Sequence, residues 1–130
     1  MKSLYGAQVV GLGKCLPKKI LSNHDLEKMV DTSDDWISER TGIRQRHVIS
    51  ESESVSSMAV VAARQAMEMA GIGPLDLDLI VMGTFTADHR LPAGACMVQA
   101  ELGATRAGAF DINSACTGFI YSLLTGSQFV

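Results

Sequence analysis

Apolar residues in this chain fall either into short unbroken runs or into longer stretches where they recur every third or fourth position. Val55, Met58, Ala59, Ala62, Ala66 and Met69 keep the helical spacing and predict an amphipathic helix that ends at Gly71. Leu79-Ile80-Val81-Met82 is unbroken, bounded by Asp78 and Gly83, and suits a parallel strand covered on both faces. Ala107 to Ile112 predicts another strand, followed by a helix from Ser114 to Phe129. Between the two strands a helix is expected from Pro92 or Ala93 to Leu102, stopped by Gly103. Near the start, Gln8 to Gly13 reads as a buried first strand, with a loop through Pro17. A helix from about Asn23 to Val30 takes Asn23 as its cap. Thr32 and Asp35 have the spacing of a capping box for the next helix, which carries Trp36 and Arg40 and stops at Gly42.

Strands alternating with helices predict an α/β fold with a mainly parallel sheet. The last helix runs to the final residues without a stop signal, and a parallel unit needs a returning strand. The expectation is therefore that residues 1–130 are one part of a larger domain.

Composition narrows the function classes. With 47% hydrophobic and 19% charged residues, the chain has a globular rather than a disordered profile. A net charge of −3 gives no case for nucleic-acid binding. No apolar run has the length of a membrane span, and the N-terminal residues lack the features of a secretory leader, so cytoplasmic residence without a membrane anchor is expected. Cys15, Cys96 and Cys116 are widely spaced, with neither a disulfide framework nor a zinc pattern. No metal site is expected, and neither His24, His47 nor His89 stands where a ligand or a catalytic base is recognisable.

The chemistry concentrates in Phe110-Asp111-Ile112-Asn113-Ser114-Ala115-Cys116-Thr117-Gly118-Phe119. A strand ends, small residues bend the chain, and a cysteine stands where a helix begins. A helix N-terminus offers free N–H groups and a positive dipole end, which favour a thiolate. The same amides can hold the oxyanion formed when a thioester is attacked. A lone cysteine is otherwise an ordinary small buried residue; the strand–turn–helix setting is what singles out Cys116.

This segment is similar to the nucleophile segment of β-ketoacyl-acyl carrier protein synthases III, condensing enzymes of the thiolase superfamily. Asp31-Thr32-Ser33-Asp34-Asp35-Trp36-Ile37 with Arg40-Thr41-Gly42-Ile43-Arg44-Gln45-Arg46 resembles a second segment of that family. The chain start and the Leu79–Gly83 strand fit in order, so the resemblance covers essentially the whole sequence. It implies the N-terminal part of a thiolase-like layered α/β domain and a homodimer. It also implies that Cys116 is the acyl-accepting nucleophile, that Trp36 stacks on the adenine of coenzyme A, and that Thr32 and Arg40 bind the nucleotide end. Leu91, before Pro92, matches the position that reaches across the dimer to shape the partner's acyl pocket; many members carry Phe there. Cys15 and Cys96 match no catalytic position and read as structural.

The implied reaction is a ping-pong condensation of an acyl-coenzyme A primer, commonly acetyl, with malonyl-acyl carrier protein, starting fatty-acid synthesis without a separate cofactor. The family's His and Asn partners come from its C-terminal half, and no matching motif occurs here. These 130 residues alone are therefore not expected to condense substrates. Two rivals stand beside this reading: another superfamily member, such as a hydroxymethylglutaryl-coenzyme A or polyketide-starter synthase, and a noncatalytic α/β binding module. Gly11-Leu12-Gly13 lacks the third glycine of a dinucleotide loop, which speaks against the module.

Overall fold

The computed structural model describes residues 6–130; Met1–Tyr5, part of the N-terminal stretch read for a leader, lie outside the described residues. The chain forms two compact units, one from residues up to Cys15 together with Val55–Val130, the other from Leu16–Ser54.

In the larger unit α3 (Val55–Ala70) leads through a 3₁₀ turn (Pro74–Asp76) to β3 (Leu79–Gly83). The chain then runs through α4 (Gly94–Leu102) into β4 (Gly108–Ile112), which pairs with β3 in parallel, Leu79 opposite Gly108 and Gly83 opposite Ile112. A second 3₁₀ turn (Ala115–Thr117) precedes α5 (Gly118–Ser127). Successive strand residues face opposite sides. A Cβ on Gly94 of α4 would meet Met82 Sδ, whereas one on Gly83 would meet Ser122 and Gly118 of α5. The two helices therefore cover opposite faces of the pair. Val60 of α3, Ala95 and Val98 of α4, and Ala104 and Ala107 of the following turn form the buried core. The glycine stops expected at 71 and 103 are both left-handed, with φ of 69° and 73°.

The Gln8–Gly13 segment is not a strand. Val9, Val10 and Leu12 are 61%, 60% and 68% exposed, and no strand ladder takes up the segment. It lies against α3 instead: a Cβ on Gly13 would stand 1.8 Å from the Ala62 carbonyl oxygen, and one on Gly11 2.1 Å from that of Ala66. The Lys14 amide donates to Gln65 Oε1 at 3.1 Å and the Leu12 amide approaches Met69 Sδ at 3.3 Å. An apolar run becomes a strand only beside another backbone edge, and here it meets a helix.

The smaller unit contains β1 (Lys19–Ser22), α1 (Asn23–Glu27), α2 (Asp34–Thr41) and β2 (Gln45–Val48). The strands pair antiparallel, Lys19 opposite Val48 and Ser22 opposite Gln45. This pair was not legible in the sequence, because both strands are largely exposed and neither carries a clean apolar face. Two expected caps shift by one residue. Ser22, not Asn23, caps α1, in a reciprocal box with Asp25. Ser33, not Thr32, caps α2, its hydroxyl accepting from the Trp36 amide. Helix α1 also ends at Glu27, followed by a turn in which the Met29 and Val30 amides both donate to the Leu26 carbonyl.

Candidate active site

Because β3 and β4 run parallel, the loops leaving their C-terminal ends emerge at one edge of the pair, the edge where open parallel sheets hold ligands. The loop after β3 carries Leu91, and the turn after β4 carries Cys116.

The turn departs from the continuous helix expected over Ser114–Phe129. Ala115 has φ 43°, a left-handed conformation that costs a non-glycine residue about 1–2 kcal/mol. That break stops the helical path, so the α-helix begins only at Gly118. Cys116 sits in the intervening 3₁₀ turn, exposed and unpaired with any other cysteine. The Thr117 amide and hydroxyl both donate to the Ser114 carbonyl, at 3.0 and 2.8 Å, and close the turn. Gly118 is buried against Gly83, which draws the start of α5 onto the end of β3.

Two carboxylates that the sequence left without a role fix this edge. Asp111 faces α4 and accepts from the Gly94 and Ala95 amides, each at 2.8 Å. Asp88 accepts from the Val55 and Ser56 amides at 2.8 and 2.9 Å, anchoring the β3–α4 loop to the start of α3. Each satisfies free donors at a helix N-terminus and complements its dipole. The available signal was a charged residue flanked by apolar ones, Phe110 and Ile112, in a predicted inner strand. Three residues beyond Asp88, Leu91 is 88% exposed.

In the smaller unit α2 brings Trp36 and Arg40 together: the guanidinium carbon lies 4.9 Å from the centre of the indole ring. Thr32 shares with Trp36 an open cavity of about 600 Å³ lined by Val30, Asp31, Thr32, Ser33 and Trp36. Trp36 is 54% exposed, a flat apolar face offered to solvent beside a cation. Asp34, at the start of α2, has its carboxyl held below the usual range, chiefly by the hydrogen bond from the Asn23 amide.

Thr32, Trp36 and Arg40 thus form one cluster, and Leu91 and Cys116 lie on loops leaving one sheet edge of the other unit. Cys96 is half-buried on α4, its thiol directed to the Ala109 carbonyl at 3.7 Å, as a structural cysteine would be. His24 and His47 are exposed; His24 pairs with Glu27 at 3.1 Å, and His47 bonds the Pro17 carbonyl at 2.7 Å. Among the described residues no three His, Cys, Asp or Glu side chains gather closely enough to hold a metal ion. No helix among them is long and apolar enough to cross a membrane.

No protein-family model matches the chain. Individual proteins do. A β-ketoacyl-acyl carrier protein synthase III of Xylella fastidiosa is 52% identical over 124 residues, which is 95% of this chain and 38% of that protein. The enzyme of the same name from Caldanaerobacter subterraneus is also 52% identical, with the same coverage. Among solved structures, the 3-oxoacyl-acyl carrier protein synthase III of Aquifex aeolicus superposes with a TM-score of 0.91 at 48% identity, covering 95% of this chain and 40% of that one. A priming β-ketosynthase of a polyketide pathway reaches 0.90 at 36% identity, covering 95% and 37%. The chain spans about two fifths of the length of these relatives.

Proposed function

We propose that this chain, 48–52% identical over nearly its whole length to β-ketoacyl-acyl carrier protein synthases III, forms the acyl-accepting, N-terminal part of such a condensing enzyme. The observation that carries the reading is Cys116: an exposed, free thiol on a strained turn between β4 and α5.

The Cys116 thiolate attacks the thioester carbonyl of an acyl-coenzyme A, most simply acetyl. A new S–C bond forms, the old one breaks, and coenzyme A departs as a thiolate that takes up a proton equivalent to the one the Cys116 thiol gave up. Malonyl-acyl carrier protein then loses carbon dioxide; the electron pair of the broken C–C bond attacks the Cys116 thioester and releases the thiolate. The product is a 3-ketoacyl-acyl carrier protein. Splitting the transfer in two gives each step an accessible barrier. No separate cofactor takes part; backbone amides of the Cys116 turn can help hold the oxyanion, and the His and Asn that assist decarboxylation come from outside residues 1–130.

Trp36 takes the adenine ring of coenzyme A. Arg40 covers one face of the indole and leaves the other for a flat ring, while its fork and the Thr32 hydroxyl meet the nucleotide's polar groups. Leu91 reaches the acyl pocket of a second subunit in a homodimer, and being smaller than Phe it leaves room for a longer primer. The site works in the cytoplasm on soluble substrates. The 52% identity to curated synthases III supports fatty-acid initiation, and polyketide priming is the second reading, since a priming ketosynthase is 36% identical.

The test is the intact mass of the protein before and after acetyl-coenzyme A. An acetyl increment that maps to Cys116, and is absent from Cys116→Ala, supports the assignment. An increment on another residue, or one that persists in Cys116→Ala, overturns it.

A further inference from the structure

The smaller unit has almost no apolar core. Only two of its residues are buried, Ile37 at 7% and Asn23 at 1% exposure, and Asn23 is the largest fully buried side chain among the described residues. A polar side chain so placed has to be satisfied. The Asn23 amide nitrogen donates to Asp34 Oδ1 at 2.7 Å and to the Ile43 carbonyl at 2.8 Å, with Ser38 Oγ further off at 3.3 Å. Its oxygen accepts from Arg46 Nη1, which fixes the amide's orientation, since only the oxygen can face a guanidinium. Its backbone amide donates to the Arg44 carbonyl at 3.2 Å. One side chain therefore ties α1 to α2, to the turn after α2 and to β2.

The geometry of α2 gives this knot a consequence. Asp34 and Ser38 are one turn apart, on the face that Asn23 grips. Trp36 and Arg40 are also one turn apart, displaced two residues, about 200° around the axis, and so on the opposite face. A helix of 8 residues has little stability of its own, and with Ile37 its sole buried residue, apolar packing alone does not set its rotation. We infer that Asn23 is a positioning residue for the nucleotide end of the acyl donor, acting through α2 to aim Trp36 and Arg40. The inference rests on the proposed coenzyme A reading of those two residues.

Coenzyme A is titrated calorimetrically into the 130-residue chain and its variants at a temperature where each is folded, with the emission of Trp36, the chain's one tryptophan, recorded alongside. Asn23→Ala is expected to bind about tenfold more weakly, the cost of ordering two side chains on binding. Its Trp36 emission is expected to shift before ligand is added. Val60→Ala, a cut in the other unit's core, lowers the melting temperature without changing affinity, which separates positioning from general destabilisation. If Asn23→Ala does not fold, Arg46→Gln, which loosens the same amide from its outer side, decides: weaker binding supports the inference and unchanged binding overturns it. Wild-type affinity in a folded Asn23→Ala, with binding lost in Trp36→Ala, overturns the positioning role and leaves the coenzyme A reading standing. No binding by the wild-type chain, or wild-type affinity in Trp36→Ala, removes both.

Discussion

The Asp111 carboxylate on β4 accepts the amide of Gly94, the first residue of α4, at 2.8 Å, and its second oxygen accepts the neighbouring Ala95 amide at the same distance. The next-to-last residue of β4, one strand position before the end that leads to the Cys116 turn, thus caps the N-terminus of the helix that connects the two strands. Met82 stands opposite Asp111 in the β3–β4 register and packs at Gly94, so strand pairing and helix capping fix the same spot. Asp111→Ala leaves two helix donors unpaired in a half-buried site and should cost about 1–3 kcal/mol in urea denaturation. Asp111→Asn keeps one acceptor and should cost less. If Asp111→Ala were as stable as wild type, the cap would have no energetic weight.

Ser122 presents the reverse case. Its hydroxyl oxygen is buried against Gly83 and has no hydrogen-bond partner among the described residues. Removing a buried hydroxyl that has no partner relieves a desolvation cost, and Ala also suits a helix better. Ser122→Ala should therefore raise stability by up to about 1–2 kcal/mol, seen as a higher melting temperature. A lower one would show that the hydroxyl is satisfied in solution.

Gly13 lies where no side chain fits, since its Cβ would come 1.8 Å from a helix carbonyl. Both contact partners are backbone, so neither yields by a rotamer change. Gly13→Ala should cost at least about 1–3 kcal/mol and lift the extended segment from α3. Hydrogen exchange at the Leu12 and Lys14 amides is the measurement, and protection equal to wild type would contradict the close approach.

Asp25 supplies a pH dependence with a definite sign. The Ser22 hydroxyl, then the Ser22 amide and Lys28, hold its carboxyl at about 2 against an ordinary 3.8. A lowered carboxyl contributes stability that is complete above the ordinary value and is lost as pH falls through the folded one, here between about 4 and about 2. Carboxyl-carbon NMR of Asp25 should follow that window, and Ser22→Ala should move its midpoint up towards 3.8. His24 has the opposite sign: the hydrogen bond and charge of Glu27 raise its pKa, so its contribution is complete below 6.5 and fades as pH rises beyond it. A midpoint for Asp25 that ignores Ser22→Ala would contradict the capping box as the cause.

Local sequence was sufficient wherever an element depends on its own residues. The α3 periodicity, the Leu79–Gly83 run and the glycine stops at 42, 71 and 103 each state their structure within a few positions, because side-chain spacing and left-handed backbone are local properties. Cys116 stood out for the same reason: strand, bend and helix are adjacent in sequence. Tertiary structure decided whatever needs a partner distant along the chain. Whether Gln8–Gly13 pairs as a strand depends on which surface it meets, and it meets α3. The exposed β1–β2 pair exists because two weakly patterned segments find each other's backbone edges. Asp88, Asp111 and Asn23 read as ordinary polar residues until the fold brings helix amides 32, 17 and 16 positions away and acceptors 11 and 20 positions away within hydrogen-bond reach. A hydrogen bond acts over about 3 Å of space and is indifferent to distance along the chain, so the residues that aim a site are the ones a linear reading passes over.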